Sequence, residues 1–146
     1  MLITDNEPLA KAVEKEVDAI LQTLSRKAIA NVSWRNNGLV ILAKNMDEAA
    51  EIANLIAPEH LELIVKNPEK LAQKIIHAGA IFMGHYTPEA IGDYVAGPSH
   101  VLPTSSTARF SSGLSVYDFL KRSSIINCSE KSYSAIAPAA STLAAE

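Results

Sequence analysis

The sequence predicts an α/β fold: a mostly parallel sheet with flanking helices, an incomplete Rossmann-like domain, followed by a helical C-terminal tail. Three observations lead there. Short apolar runs at 38–43, 61–65 and 80–83 alternate with stretches of helical periodicity. An amphipathic segment precedes them, with Leu9, Ala12, Val13, Val17, Ile20, Leu21 and Leu24 at three- and four-residue spacing. Past residue 128 the chain turns Ala- and Ser-rich with helical leanings. The expected division is therefore an α/β portion over 1–128 and the start of a helical tail over 129–146.

Leu2-Ile3 stands before a helix start. Thr4-Asp5-Asn6-Glu7 supplies capping side chains and an early carboxylate, and Pro8 sits where its missing N–H costs nothing. The helix that follows keeps Lys11, Glu14, Lys15, Glu16 and Asp18 on its wet side. Asn36-Asn37-Gly38 is a turn signal, and Gly38-Leu39-Val40-Ile41-Leu42-Ala43 a buried strand. Asn45 or Asp47 caps the next helix, whose stripe is Ala49, Ile52, Ala53 and Ile56, ending near Pro58. Leu61–Val65 is the second strand. Asn67-Pro68-Glu69 opens a third helix (Leu71, Ala72, Ile75, Ile76) that stops at Gly79, and Ala80-Ile81-Phe82-Met83 is the third strand. Strand and helix in alternation require parallel pairing with right-handed crossovers. Beyond this, Thr87 starts a short helix, 116–120 reads as another, and Ser124–Asn127 as a short strand. The tail is interrupted by Pro138 and ends mid-pattern at Glu146, so both chain ends read as cut.

The composition narrows the function classes. With 146 residues, 48% hydrophobic and 20% charged, the chain can bury a core without disulfides or metal staples. A net charge of −3 and the lack of a basic run argue against nucleic acid as the main partner. No apolar run approaches the ~20 residues of a membrane span and the start shows no signal-peptide pattern, so a cytoplasmic protein without a membrane partner is expected. Cys128 is the only cysteine, flanked by Asn127 and Ser129, which offer no cationic activation.

The stretch from Ala90 to Leu120 least resembles scaffolding. Between Gly97 and Gly113 no period can be drawn, while Val101, Leu102 and Phe110 anchor the segment, as expected of an ordered functional loop. Asp93 lies near the end of the short helix, where the negative end of the dipole disfavours a carboxylate. It would suit a metal or a cationic substrate. His100, in Gly97-Pro98-Ser99-His100, is a site histidine or simply a turn residue. Glu59-His60 can serve as a carboxylate and an imidazole for acid–base work, or be a capping glutamate beside a partly exposed histidine. Generic topology speaks against a site there, since a helix-to-strand connection lies opposite the usual ligand crevice. His77 sits in a helix near its C-terminus, and His85 is a loop residue. Asp93, His60 and His100 offer a metal set without tight spacing. Neither GxGxxG nor GxxxxGK[ST] occurs.

Several blocks then resemble one family. Ala57-Pro58-Glu59-His60-Leu61, His77-Ala78-Gly79-Ala80-Ile81-Phe82 and Pro88-Glu89-Ala90-Ile91-Gly92-Asp93-Tyr94-Val95-Ala96-Gly97-Pro98 are similar to histidinol dehydrogenase. So are His100-Val101-Leu102-Pro103-Thr104 and Ala108-Arg109-Phe110-Ser111-Ser112-Gly113-Leu114. The resemblance implies a zinc-dependent homodimer that oxidises L-histidinol to L-histidine with two NAD, through an aldehyde. Glu59 and His60 match the family's catalytic pair: His60 takes the alcohol proton and Glu59 activates water at the aldehyde level. Asp93 matches a zinc ligand that also lies in the substrate site; Tyr94 and His100 fall where the family lines the substrate pocket, together with His60. Family members are much longer. Their dinucleotide-binding segment and a glutamine–histidine ligand pair lie upstream, and a further glutamate and histidine lie past Glu146. The chain is thus expected to keep Asp93 alone of the protein zinc ligands and not to turn over histidinol by itself. The competing expectation is a non-catalytic α/β remnant serving as a binding or oligomerisation module.

Overall fold

The computed structural model describes residues 1–145. They form two compact units, Met1–Ser115 and Val116–Glu146. The first is mixed α/β, as expected. It runs β1 (Leu2–Thr4), α1 (Glu7–Thr23), α2 (Lys27–Asn37), β2 (Val40–Leu42), α3 (Met46–Ile56), β3 (His60–Leu63), α4 (Pro68–Ala72), β4 (Ala80–Met83) and α5 (Glu89–Tyr94). All pairing is parallel, but it is split into two two-stranded sheets, β1–β2 and β3–β4.

Two of these elements had no sequence signal. β1 is too short to show a period; it exists because Leu2, Ile3 and Thr4 pair with Val40, Ile41 and Leu42. α2 has no buried stripe, with Ile29 and Val32 61% and 59% exposed, so its periodicity is blank. It ends at Gly38, whose N–H donates to the Trp34 carbonyl, and the Trp34 side chain fills the space a Cβ would need. α1 starts as expected, with Asn6 accepting from the Leu9 N–H and Pro8 in the first turn.

α4 stops at Ala72, short of the expected stop at Gly79. The reason is Asn54 on α3. Its Oδ1 accepts from the N–H groups of Ile76 and His77, and its Nδ2 donates to the Lys74 carbonyl. A side chain that satisfies these backbone groups offers them an alternative to the helix. His77 therefore lies in a turn, not in a helix. Asn54→Ala should destabilise the chain by about 2 kcal/mol, the net worth of two or three such bonds; urea unfolding within about 0.5 kcal/mol of wild type would refute this. Lys74 also bonds Asp47 in the first turn of α3 and holds that carboxyl below its ordinary range. Lys74→Met should return Asp47 to that range in a carboxyl NMR titration; an Asp47 that stays low would have another cause.

The buried residues are mostly small: Ala43, Ala49, Ala50, Ala53 and Ala57, with Leu63 and Phe82 as the large members around β3–β4. Small core residues let α3 and the strands approach closely. The polar loop, in turn, is fixed to α3. Ser106 Oγ donates to the Ile56 carbonyl at 2.7 Å and Arg109 to the Leu55 carbonyl. The last carbonyls of a helix lack intrahelical partners, and a cation suits that end. Ser105 and Ser106 both adopt positive φ to make this clamp.

In the second unit, a 3-10 turn covers Val116–Phe119 and α6 covers Glu130–Ala145. The expected strand at 124–127 does not form: Ile125 and Ile126 are 95% and 86% exposed, and a strand without a paired neighbour has no ladder. Nor does Pro138 interrupt the tail, because α6 passes through it. At an exposed position, water can take the carbonyl that proline leaves unpaired.

Candidate functional site

The residues of interest gather on one face of β3–β4. Side chains of a strand alternate, so His60 and Glu62 share a face, and register places Ala80 and Phe82 beside them. α5 lies across this face antiparallel to β3. At its start, the Glu89 N–H donates to Glu62 Oε1 at 2.9 Å. Near its end, Asp93 Oδ1 meets His60 Nε2 at 3.3 Å. The match follows from two repeats: four helix residues rise about 6 Å, and two strand residues span about 6.6 Å. Glu89-to-Asp93 on the helix therefore fits Glu62-to-His60 on the strand.

His60 and Asp93 are 26% and 15% exposed in their side chains. The His60 ring also tilts against the Phe82 ring, with centroids 5.8 Å apart. Phe82 is 6% exposed.

Glu59 is half-buried one residue ahead of β3. Its backbone is tightly held: its carbonyl accepts from the Ala80 N–H at 2.8 Å, and the Pro58 carbonyl accepts from the Gly79 N–H at 2.9 Å. Ala57 before it is fully buried in the left-handed conformation that ends α3. The turn carrying Glu59 and His60 is thus held by α3 behind it and β4 beside it.

Tyr94 and His100 are not drawn into the contact. Tyr94 is 80% exposed, and His100 is exposed in a turn where the Val101 N–H binds Ser99 Oγ. Of the candidate metal set His60, Asp93 and His100, the first two lie together, whereas His100 is exposed and outside their group. Among the described residues, His60, Glu89 and Asp93 form the group whose ligand atoms lie within 4.8 Å of one another. Sequence reasoning missed Glu89. A signal existed, since two carboxylates four apart on a helix repel one another and so call for a reason. The hydrogen bond with Asp93, then desolvation and the Asp93 charge, hold the Glu89 carboxyl above its ordinary range, with His60 opposing.

An imidazole facing one of two adjacent carboxylates can accept and pass on a proton. The same three groups offer one nitrogen and two oxygens, a donor set compatible with zinc.

A family model described as histidinol dehydrogenase matches residues 1–146. The chain is 60% identical over 144 residues to histidinol dehydrogenase of Ruegeria pomeroyi, covering 99% of this chain and 33% of that protein. It is 55% identical to the one from Neisseria meningitidis serogroup B over 144 residues, covering 99% and 34%. The crystal structure of histidinol dehydrogenase from Elizabethkingia anophelis superposes with a TM-score of 0.80 at 33% identity, over 98% of this chain and 33% of that one. The chain spans about a third of the length of the curated relatives it matches.

Proposed function

The chain belongs to the histidinol dehydrogenase family, and on that premise we propose that it supplies the proton-handling and metal-facing part of a zinc-dependent oxidation of L-histidinol to L-histidine with two NAD. The observation that carries this reading is the contact of His60 with Asp93 across 33 positions of sequence. Two side chains assigned from separate motifs meet on one half-buried face.

His60 is the base for the alcohol proton, and Asp93 orients its ring through Nε2. Glu59, next to His60, takes a proton from the water that adds at the aldehyde level. Tyr94 and His100 are assigned to the walls of the substrate pocket. Asp93 is the carboxylate assigned to zinc, and Glu89 is a second oxygen donor beside it. Zinc bound there would polarise the substrate's oxygen and hold it in register. For NAD the chain offers no glycine-rich phosphate cradle, so no step on these residues is routed through it. Histidine synthesis, a homodimer and a cytoplasmic setting complete the reading. No helix among the described residues is long and apolar enough to cross a membrane.

The test is an exchange. This chain should replace the matching third of the Ruegeria pomeroyi enzyme and retain histidinol-dependent NAD reduction, whereas the chain alone should show none. A well-folded, zinc-loaded chimera without activity would sink the reading.

A further inference from the structure

Gly92 precedes Asp93 and lies directly over the ring of Phe82, whose Cε1, Cζ and Cδ1 occupy the space a Cβ at Gly92 would need. The same ring is the one His60 leans on. Phe82 therefore touches both halves of the site: the strand partner through its imidazole and the helix partner through its bare backbone. Its burial leaves it little room to move aside. Gly92 has an ordinary helical φ, so conformational freedom is not what the position demands. What it demands is the missing side chain, because with any Cβ α5 would stand further from β4. At 3.3 Å the His60–Asp93 contact is already near the long end of a hydrogen bond, and a further displacement would break it.

We propose that Gly92 and Phe82 form a packing lock that sets the separation of His60 and Asp93, and so act as positioning residues for that pair. The proposal rests on the reading that His60 and Asp93 work together. It adds that their distance is fixed by a glycine-on-ring contact which neither of them makes.

The test uses imidazole NMR of the 146-residue chain at one fixed pH, and reads the change that Asp93→Asn makes in the His60 ring signals. In the wild-type background that change should be clear. In Gly92→Ala it should be lost, because the added methyl lifts α5. In the double variant Gly92→Ala/Phe82→Leu it should return, since the shorter side chain vacates the space the methyl enters. Phe82→Leu alone, a second route that leaves Gly92 intact, should weaken it. Circular dichroism checks that each variant keeps its helices. An Asp93→Asn change as large in Gly92→Ala as in wild type would overturn the lock, even if stability fell. So would a double variant no better than Gly92→Ala. An Asp93→Asn substitution that moves nothing in the wild-type chain would instead remove the His60–Asp93 pairing itself, and the lock with it.

Discussion

Glu59→Gln in the Ruegeria pomeroyi chimera is expected to lower complete oxidation of histidinol by about 10²–10⁴-fold, the usual worth of a positioned general base. The loss should fall on the second oxidation. The amide that replaces the carboxylate keeps the shape and the hydrogen-bonding reach of the side chain but cannot take the proton of water. NAD reduction should then stall near one equivalent per histidinol, with material held at the aldehyde level. His60→Asn should differ, because the alcohol proton has no acceptor and the first equivalent is lost too. The discriminating measurement is NADH formed per histidinol in a single turnover. Equal losses at both levels in the two variants would end the division of roles, while normal zinc content in both would keep the folded site out of question.

The largest structural effect is expected at Gly79. A Cβ there would lie 2.6 Å from the Glu59 carbonyl oxygen and 3.2 Å from Cδ of Pro103. Neither neighbour can yield cheaply. The Glu59 oxygen is backbone engaged with the Ala80 N–H, and Pro103 is a buried part of the polar loop. Gly79→Val must therefore part the first rungs between β3 and β4, and with them the turn that aims His60. Overpacking of about 1–3 kcal/mol and one or two ladder bonds of about 1 kcal/mol each give a loss of about 2–5 kcal/mol. Gly79→Ala should lose less but in the same direction. Urea unfolding of the 146-residue chain measures both, and a valine variant within about 0.5 kcal/mol of wild type would contradict the close approach.

Much of this was readable along the chain, for an identifiable reason. The cap of α1, the third strand at 80–83 and the αβ alternation depend on neighbours in sequence, and local chemistry encodes such features directly. The candidate site residues were readable differently: Glu59, His60 and Asp93 stand in motifs whose resemblance implies roles for them, although topology alone argued against a site at the start of β3. In the structure α5 folds back across the sheet and delivers Asp93 to the strand's beginning, the contact on which the proposed site rests.

What the amino acids alone determined, then, was the class of fold, most of its elements and the identity of the acid–base candidates. Only the tertiary structure decided which of them meet. It joined His60 to Asp93, added Glu89, and left Tyr94 and His100 exposed. It also ended α4 early through Asn54 and made a strand of Leu2–Thr4. Each of these depends on groups distant in sequence, whose contacts are set by strand register, helix rise and the room a glycine leaves, quantities that no local pattern of residues contains.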